Sequence, residues 1–163
     1  MKNLKIKLLF ALCAILLFSA FITEKKDVIT IFMIGDSTMA NKSLKNGNLE
    51  RGWGQMLPCF LTEDVAVDNH AMNGRSSLSF INEGRWDAVL AKLKKGDYVF
   101  IQFGHNDAGD INVGKARAEL RGSGDESKVF LMEKTGKYQV IYTFGWYLRK
   151  FIMDVQEKGA IPI

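Results

Sequence analysis

Three short stretches of the 163-residue chain are dominated by apolar, often β-branched residues: VITIFMI (28–34), VAVDN (65–69) and DYVFIQF (97–103). Runs of this kind predict interior strands of a parallel sheet, covered on both faces. Between the last two lies EGRWDAVLAKLKKGD, where Trp86, Val89, Leu90 and Leu93 recur at helical spacing, lysines take the other side and Gly96 supplies a stop. A second helical pattern runs from Tyr138 to Lys158, with Ile141, Phe144, Leu148, Ile152 and Val155 on its apolar side and Gly159 beyond it. The stretch from Asp107 to Lys137 is polar and glycine-rich and reads as a long surface loop. Strands alternating with amphipathic helices predict βαβ units and a doubly wound α/β sheet with right-handed crossovers. The chain closes on AIPI (160–163), read as the start of a fourth strand, so the expected domain is incomplete at its C-terminus.

The first residues have a different pattern. Lys2, Lys5 and Lys7 precede LLFALCAILLFSAFI (8–22), which carries no charge and has the layout of a secretory leader or signal anchor. TEKKD (23–27) then reads as a linker, and residues 28–163 as the N-terminal part of one domain. Export to a secreted or periplasmic location is the expectation. The leader also accounts for the apparent basicity: without residues 1–22, 19 Lys and Arg face 18 Asp and Glu. No basic stripe interleaved with aromatics remains, which argues against nucleic acid as a partner. Membrane association is expected only through an uncleaved leader. Cys59 is the one cysteine beyond the leader, which excludes an internal disulfide and a cysteine-based zinc site there, and it reads as a buried filler behind Pro58.

The ends of the three strands bear chemistry. The first gives Gly35-Asp36-Ser37, the second leads within a few residues to Asn73-Gly74-Arg75-Ser76, and the third gives Gly104-His105-Asn106-Asp107. In open α/β sheets ligands bind outside the carboxyl ends of the strands, so these three loops are expected to meet on one edge. Acyl transfer needs a hydroxyl nucleophile and donors aimed at the oxyanion that develops. Ser37, at a strand-to-helix turn, offers the hydroxyl and its own N–H. Gly74 offers an N–H that a substrate can approach closely, and Asn106 a side-chain amide. Each motif alone has a plain structural explanation as a turn or cap; their succession at consecutive strand ends favours the catalytic reading. Asp36 is expected to hold its turn by accepting backbone N–H groups. Arg75, Ser76 and Ser77 are candidates to line a substrate groove, with His105 and Asp107 as supporting residues. Trp53 and Trp86 are core residues or sugar platforms, Trp86 being the better core candidate. The glycines of RGSGDES neither follow a strand nor open a helix, so no dinucleotide fingerprint is read, and no P-loop is present.

GDST, NGRS and GHND, in this order, resemble the first three sequence blocks of the SGNH, or GDSL, hydrolase superfamily. RGWGQML (51–57), GRSSLSFINEGRWD (74–87), IQFGHND (101–107) and the YLRKF…KGAIPI region resemble, more narrowly, the bacterial rhamnogalacturonan acetylesterases, which remove acetyl groups from pectin. The resemblance implies a flavodoxin-like three-layer α/β/α sandwich, Ser37 as nucleophile, and Ser37, Gly74 and Asn106 as the oxyanion hole. It further implies an acetylated polysaccharide as partner, no cofactor, no metal and a monomer. One departure is plain. The family completes its triad with an Asp-x-x-His motif, whereas this chain has only His70 and His105, neither in such a motif. Two alternatives stay open: an esterase or lipase of the same class acting on another acyl ester, and an inactive truncated fragment or carbohydrate-binding relic.

Overall fold

The computed structural model describes residues 28–163; the leader and linker read from the sequence lie outside the described residues. The chain forms β1 (Ile29–Gly35), a short helix α1 (Trp53–Met56), β2 (Val65–Asn69), α2 (Ser77–Asn82), α3 (Arg85–Leu90), β3 (Tyr98–Gln102), β4 (Ser127–Met132), β5 (Lys137–Tyr142), α4 (Phe144–Glu157) and β6 (Ile161–Pro162). The first three predicted strands and the fourth at AIPI are all present, but Val65–Asn69, expected in the interior, lies at the sheet edge with a neighbour on one side only and no residue fully buried. They make one sheet in the order β2-β1-β3-β6, every pair parallel. Ile29 aligns with Val65, Gly35 with Gln102 and Tyr98 with Ile161.

Alternation along β1 divides the core between the two faces of the sheet. Phe32 and Ile34 point to the layer of α2, α3 and α4, where they meet Phe80, Trp86, Val89, Val99, Phe151 and Val155. Trp86 packs edge-on against Phe151 with ring centroids 4.9 Å apart, and its Nε1–H donates to Asp154 Oδ2 at 2.7 Å. Trp86 is therefore a core residue. Ile31 and Met33 point the other way, to Met39, Ala71, Phe100 and the Leu57–Leu61 segment. Layers on both faces of a parallel sheet realise the expected three-layer α/β/α architecture.

The second half differs from expectation. The stretch read as loop and helix contains an antiparallel hairpin, with Ser127 opposite Tyr142 and Met132 opposite Lys137. Ile141 belongs to its second strand, and the helix begins only at Phe144. The break comes from Thr143, whose side chain caps α4 by accepting the Trp146 N–H. The buried stripe of α4 is Tyr147, Phe151 and Val155, so Ile152, placed on the apolar side from the sequence, is 38% exposed. Cys59 is also exposed, contrary to the reading as a buried filler. It sits in a 3₁₀ segment, Leu57–Phe60, in which Leu57 packs on the core while Cys59 and Phe60 face solvent.

Candidate active site

Strand order decides where a site can form. The chain passes from β1 to β2 on one side and returns to β3 on the other, so the connections leave the sheet in opposite directions between β1 and β3. A crevice opens at such a switch point, at the carboxyl ends of the strands. Ser37 follows β1 and Asn106 follows β3, and these strands are direct neighbours, Gly35 being aligned with Gln102. The loop after β2 is tied to the same edge by the Met72 N–H, which donates to Gly35 O at 3.0 Å.

Ser37 occupies a single tight turn closed by Ala40 N–H to Asp36 O at 3.0 Å. No helix follows it, which corrects the strand-to-helix reading. The carbonyls that would propagate a helix are used elsewhere: Thr38 O accepts from Trp53 N–H at 3.0 Å, and Met39 O accepts from Asn69 Nδ2 at 3.0 Å. Asp36 is buried and its Oδ1 accepts from the Thr38 N–H at 2.8 Å and the Thr38 hydroxyl at 2.9 Å, so it braces the turn. Met39 and Ala40 are buried beneath, while Ser37 stays half-exposed and its hydroxyl has no hydrogen bond to any described residue.

The RGWG stretch covers this turn from outside. A Cβ on Gly52 would lie 2.0 Å from Ala40 O and 2.7 Å from Met39 O, and one on Gly54 would lie 2.7 Å from Met39 O. These are backbone atoms with nowhere to retreat. Gly52→Ala is therefore expected to lower stability by about 2 kcal/mol, as overpacked sites do, and to disturb the Ser37 turn. Urea denaturation checks this, and a variant as stable as the parent would show that the packing gives way. Between the two glycines, Trp53 is 40% exposed, packs against Phe100 with centroids 6.3 Å apart, and donates its Nε1–H to Gln102 Oε1.

Gly74 has φ +76°, a left-handed conformation that favours glycine, and its carbonyl accepts from Arg117 Nη1 at 2.7 Å. Asn106 is buried, and one Nδ2–H donates to Arg75 O at 3.0 Å, which orients the amide and leaves its second N–H for another acceptor. Asp107, also buried, ties the loops together: Oδ1 accepts from the Ser77 N–H and hydroxyl, both at 2.8 Å, and Oδ2 accepts from the Gly104 N–H at 2.8 Å. Arg75 points away from this cluster, its Nε lying 3.1 Å from both carboxylate oxygens of Glu83. Ser76 and Ser77 are fully buried and line no groove: Ser76 caps α2 through the Ser79 N–H, and Ser77 sits in the Asp107 network.

Neither histidine is hydrogen-bonded to Ser37. His105 is exposed. His70 Nε2 lies 3.1 Å from Asp68 Oδ2, and its ring packs 6.2 Å from that of Phe32, on the helical face of the sheet. Burial alone would raise the Asp68 carboxyl, but hydrogen bonds from Lys92 and His70 hold it below its usual range.

Sequence reasoning missed three contributors. Lys42 is buried, with Nζ 2.9 Å from Asn73 Oδ1 and 2.9 Å from Glu50 Oε1, and so links the Ser37 side of the edge to the Gly74 loop. Arg117 holds the Gly74 carbonyl. Glu119 is buried behind Asp107, its Oε1 accepting from the Leu78 N–H at 2.7 Å and lying 2.9 Å from Ser77 Oγ. Ser77 has one hydroxyl proton for two carboxylates, and Glu119 Oε2 has no hydrogen-bond partner among the described residues. Burial, then the charge of Asp107, push Glu119 up to about 8, so near neutrality it carries a proton. Nothing in the polar stretch around Glu119 marks it as buried; only the fold does.

The family model of the GDSL-like lipase/acylhydrolases matches residues 31–130. The chain is 36% identical over 133 residues to the rhamnogalacturonan acetylesterase of Emericella nidulans, covering 80% of this chain and 49% of that protein. It is 34% identical over 138 residues to rhamnogalacturonan acetylesterase RhgT of Bacillus subtilis, covering 85% and 48%. The chain thus spans about half the length of these curated relatives. The crystal structure of Bacillus subtilis protein YxiM superposes with a TM-score of 0.59 at 28% identity, covering 82% of this chain and 31% of that one. With the family model spanning most of the domain and its three blocks at the ends of β1, β2 and β3, the chain belongs to the GDSL-like lipase/acylhydrolase family.

Proposed function

We propose that this chain carries the nucleophile and oxyanion hole of an exported serine esterase that removes acetyl groups from a pectin-type polysaccharide, acting as a monomer without a cofactor. The observation that supports it is that the loops carrying Ser37, Gly74 and Asn106 leave one edge of the sheet at the switch point, in a chain similar to two rhamnogalacturonan acetylesterases. Ser37 Oγ attacks the acetyl carbonyl carbon and its proton passes to a histidine. The resulting oxyanion accepts from the Ser37 N–H, the Gly74 N–H and the second Asn106 amide N–H. Collapse breaks the bond to the sugar oxygen, which takes the proton from that histidine. Water then attacks the acetyl-enzyme and releases acetate. The histidine is that of the Asp-x-x-His motif implied by the resemblance, which is not among the 163 residues.

Export rests on the N-terminal pattern; among the described residues no helix is long and apolar enough to cross a membrane. A second reading is a binding-competent but inactive fragment, since neither His70 nor His105 is hydrogen-bonded to Ser37. The deciding experiment gives the full-length protein acetylated pectin, acetylated xylan and a long-chain ester, and measures the acid released. Acetate chiefly from pectin is expected. Preference for xylan or the long chain would overturn the substrate, and no release from any would favour the inactive reading.

A further inference from the structure

Asn73 and Gly74 are the central pair of a turn, Met72 to Arg75, that follows β2. Its main chain is closed by one long bond, the Arg75 N–H to Met72 O at 3.3 Å. Gly74 has φ +76°, the left-handed value that a type II turn needs at its third residue. Type I and type II turns differ by a half-rotation of the peptide between the two central residues, and glycine in third place tolerates both. Here that peptide is Asn73–Gly74, so a flip would swing the Gly74 N–H to the opposite face. The donor assigned to the oxyanion is thus mounted on the peptide of the turn that turns over most readily.

The acceptors around that peptide are held, each by a cation. Arg75 Nη1 donates to Asn73 O at 3.0 Å, Arg117 Nη1 to Gly74 O at 2.7 Å and Lys42 Nζ to Asn73 Oδ1 at 2.9 Å. The Gly74 N–H, by contrast, has no acceptor among the described residues. Of the three contacts the first bears on the flip, because the C=O and N–H of one trans peptide point in opposite directions, so that a pinned Asn73 O aims the Gly74 N–H. Arg117 holds the next peptide, at the edge of a basic cleft of about 380 Å³ that Lys115 and Lys134 also line. The Arg75 guanidinium is itself anchored. Its Nε lies 3.1 Å from both Glu83 carboxylate oxygens, and Arg85 Nε braces the same carboxylate at 2.6 Å. Glu83 in turn closes α2, its N–H donating to Ser79 O at 3.0 Å.

We propose that Arg75 is a positioning residue of the oxyanion hole, a lock that keeps the Asn73–Gly74 peptide from flipping and so keeps the Gly74 N–H aimed at the reacting carbonyl. This rests on the esterase function proposed above. Arg75 touches no reacting atom; it acts through Gly74, and Glu83 acts through Arg75. The same residue also steadies the second donor, since its own carbonyl accepts from Asn106 Nδ2 at 3.0 Å. A donor fixed before the ester arrives costs no reorganisation when the negative charge develops, and that benefit is felt in the transition state rather than in substrate binding.

The test is steady-state kinetics of the full-length protein on 4-nitrophenyl acetate, a neutral ester with no carboxylate for a cation to grip. An oxyanion donor removed outright costs about 10²- to 10³-fold in kcat. A donor merely released to flip is expected to cost about tenfold in Arg75→Met, with KM changed by less than about twofold. Glu83→Gln leaves the guanidinium in place but loosely braced and is expected to cost about threefold in kcat. Added to Arg75→Met it is expected to cost nothing further, because the two changes break one chain of contacts. The main-chain bonds of the turn survive in every variant, so melting midpoints near the parent's are expected; if Arg75→Met melts early, Glu83→Gln alone reads the lock. Full kcat in Arg75→Met and Glu83→Gln, a loss that appears in KM alone, or losses that multiply in the double variant would overturn the proposal. A parent that neither turns over the ester nor is labelled at Ser37 by a fluorophosphonate would remove esterase and lock together, whereas an active parent with indifferent variants removes the lock alone.

Discussion

Replacing Ser37 by alanine is expected to abolish capture of a fluorophosphonate probe and, in the full-length protein, to lower ester hydrolysis by a factor on the order of 10³ or more. The magnitude follows from what the hydroxyl does in the proposed chemistry: without it no covalent intermediate forms, and the remaining donors can only polarise an ester toward water. The structure also makes the experiment clean. The Ser37 hydroxyl has no hydrogen bond to a described residue, and the turn is held instead by Asp36, Thr38 and the Ala40 N–H, so the variant should fold with an unaltered denaturation midpoint. Turnover that survived Ser37→Ala would place the nucleophile elsewhere and end the assignment. A parent protein that the probe does not label would favour the inactive reading.

The second large effect is expected from Glu119, and it is a dependence on pH. The folded protein holds the Glu119 proton up to about pH 8, whereas the unfolded chain releases it near the ordinary glutamate value of 4.5. Between those limits folding therefore takes up a proton, and stability falls as pH rises. The contribution is full below the lower limit, where both states are protonated, and lost above the upper one, where the buried carboxylate must ionise beside Asp107. About 3 kcal/mol is at stake, allowing for the sharing of charge between the two acids. Glu119→Gln keeps an acceptor for the Leu78 N–H and cannot ionise, so its stability curve between pH 5 and 9 should be flatter and should lie above the parent's at the alkaline end. Urea midpoints across that range measure both. Parallel curves would mean that Glu119 is ionised throughout.

How much of this was legible in the residues differs between the two halves of the chain. The strands at 28–34 and 97–103 announce themselves because an interior parallel strand leaves no polar alternation, whereas 65–69 reads the same way and yet lies at the sheet edge; Gly-Asp-Ser, Asn-Gly-Arg and Gly-His-Asn-Asp follow the three within a few residues. Residues 127–142 were opaque for a physical reason: Ile141 and Phe144 fall three apart by coincidence across the Thr143 cap, so a strand end and a helix start counterfeit one helical period. The helix expected after Ser37 failed because Thr38 and Met39 give their carbonyls to Trp53 and Asn69, partners distant in sequence. Glu119 and Lys42 were hidden for the same reason. A lone acid or lysine in a polar stretch looks solvated until the fold closes over it, and only then does Glu119 acquire Asp107 as a neighbour.

The glycines of this protein fall into two kinds, and the difference tells a protein engineer where to work. Around Ser37, positions 35, 52 and 54 are places where even one added carbon strikes backbone within 3 Å, so that side of the crevice behaves as a fixed anvil. At the tip of the hairpin space is open, since a Cβ on Gly136 would meet nothing within 4 Å, but its φ of +64° keeps that position glycine, and the freedom lies in its neighbours, of which Lys134 lines the basic cleft. Randomising residues 133–135 is thus expected to change the lining of the basic cleft without disturbing the Ser37 turn.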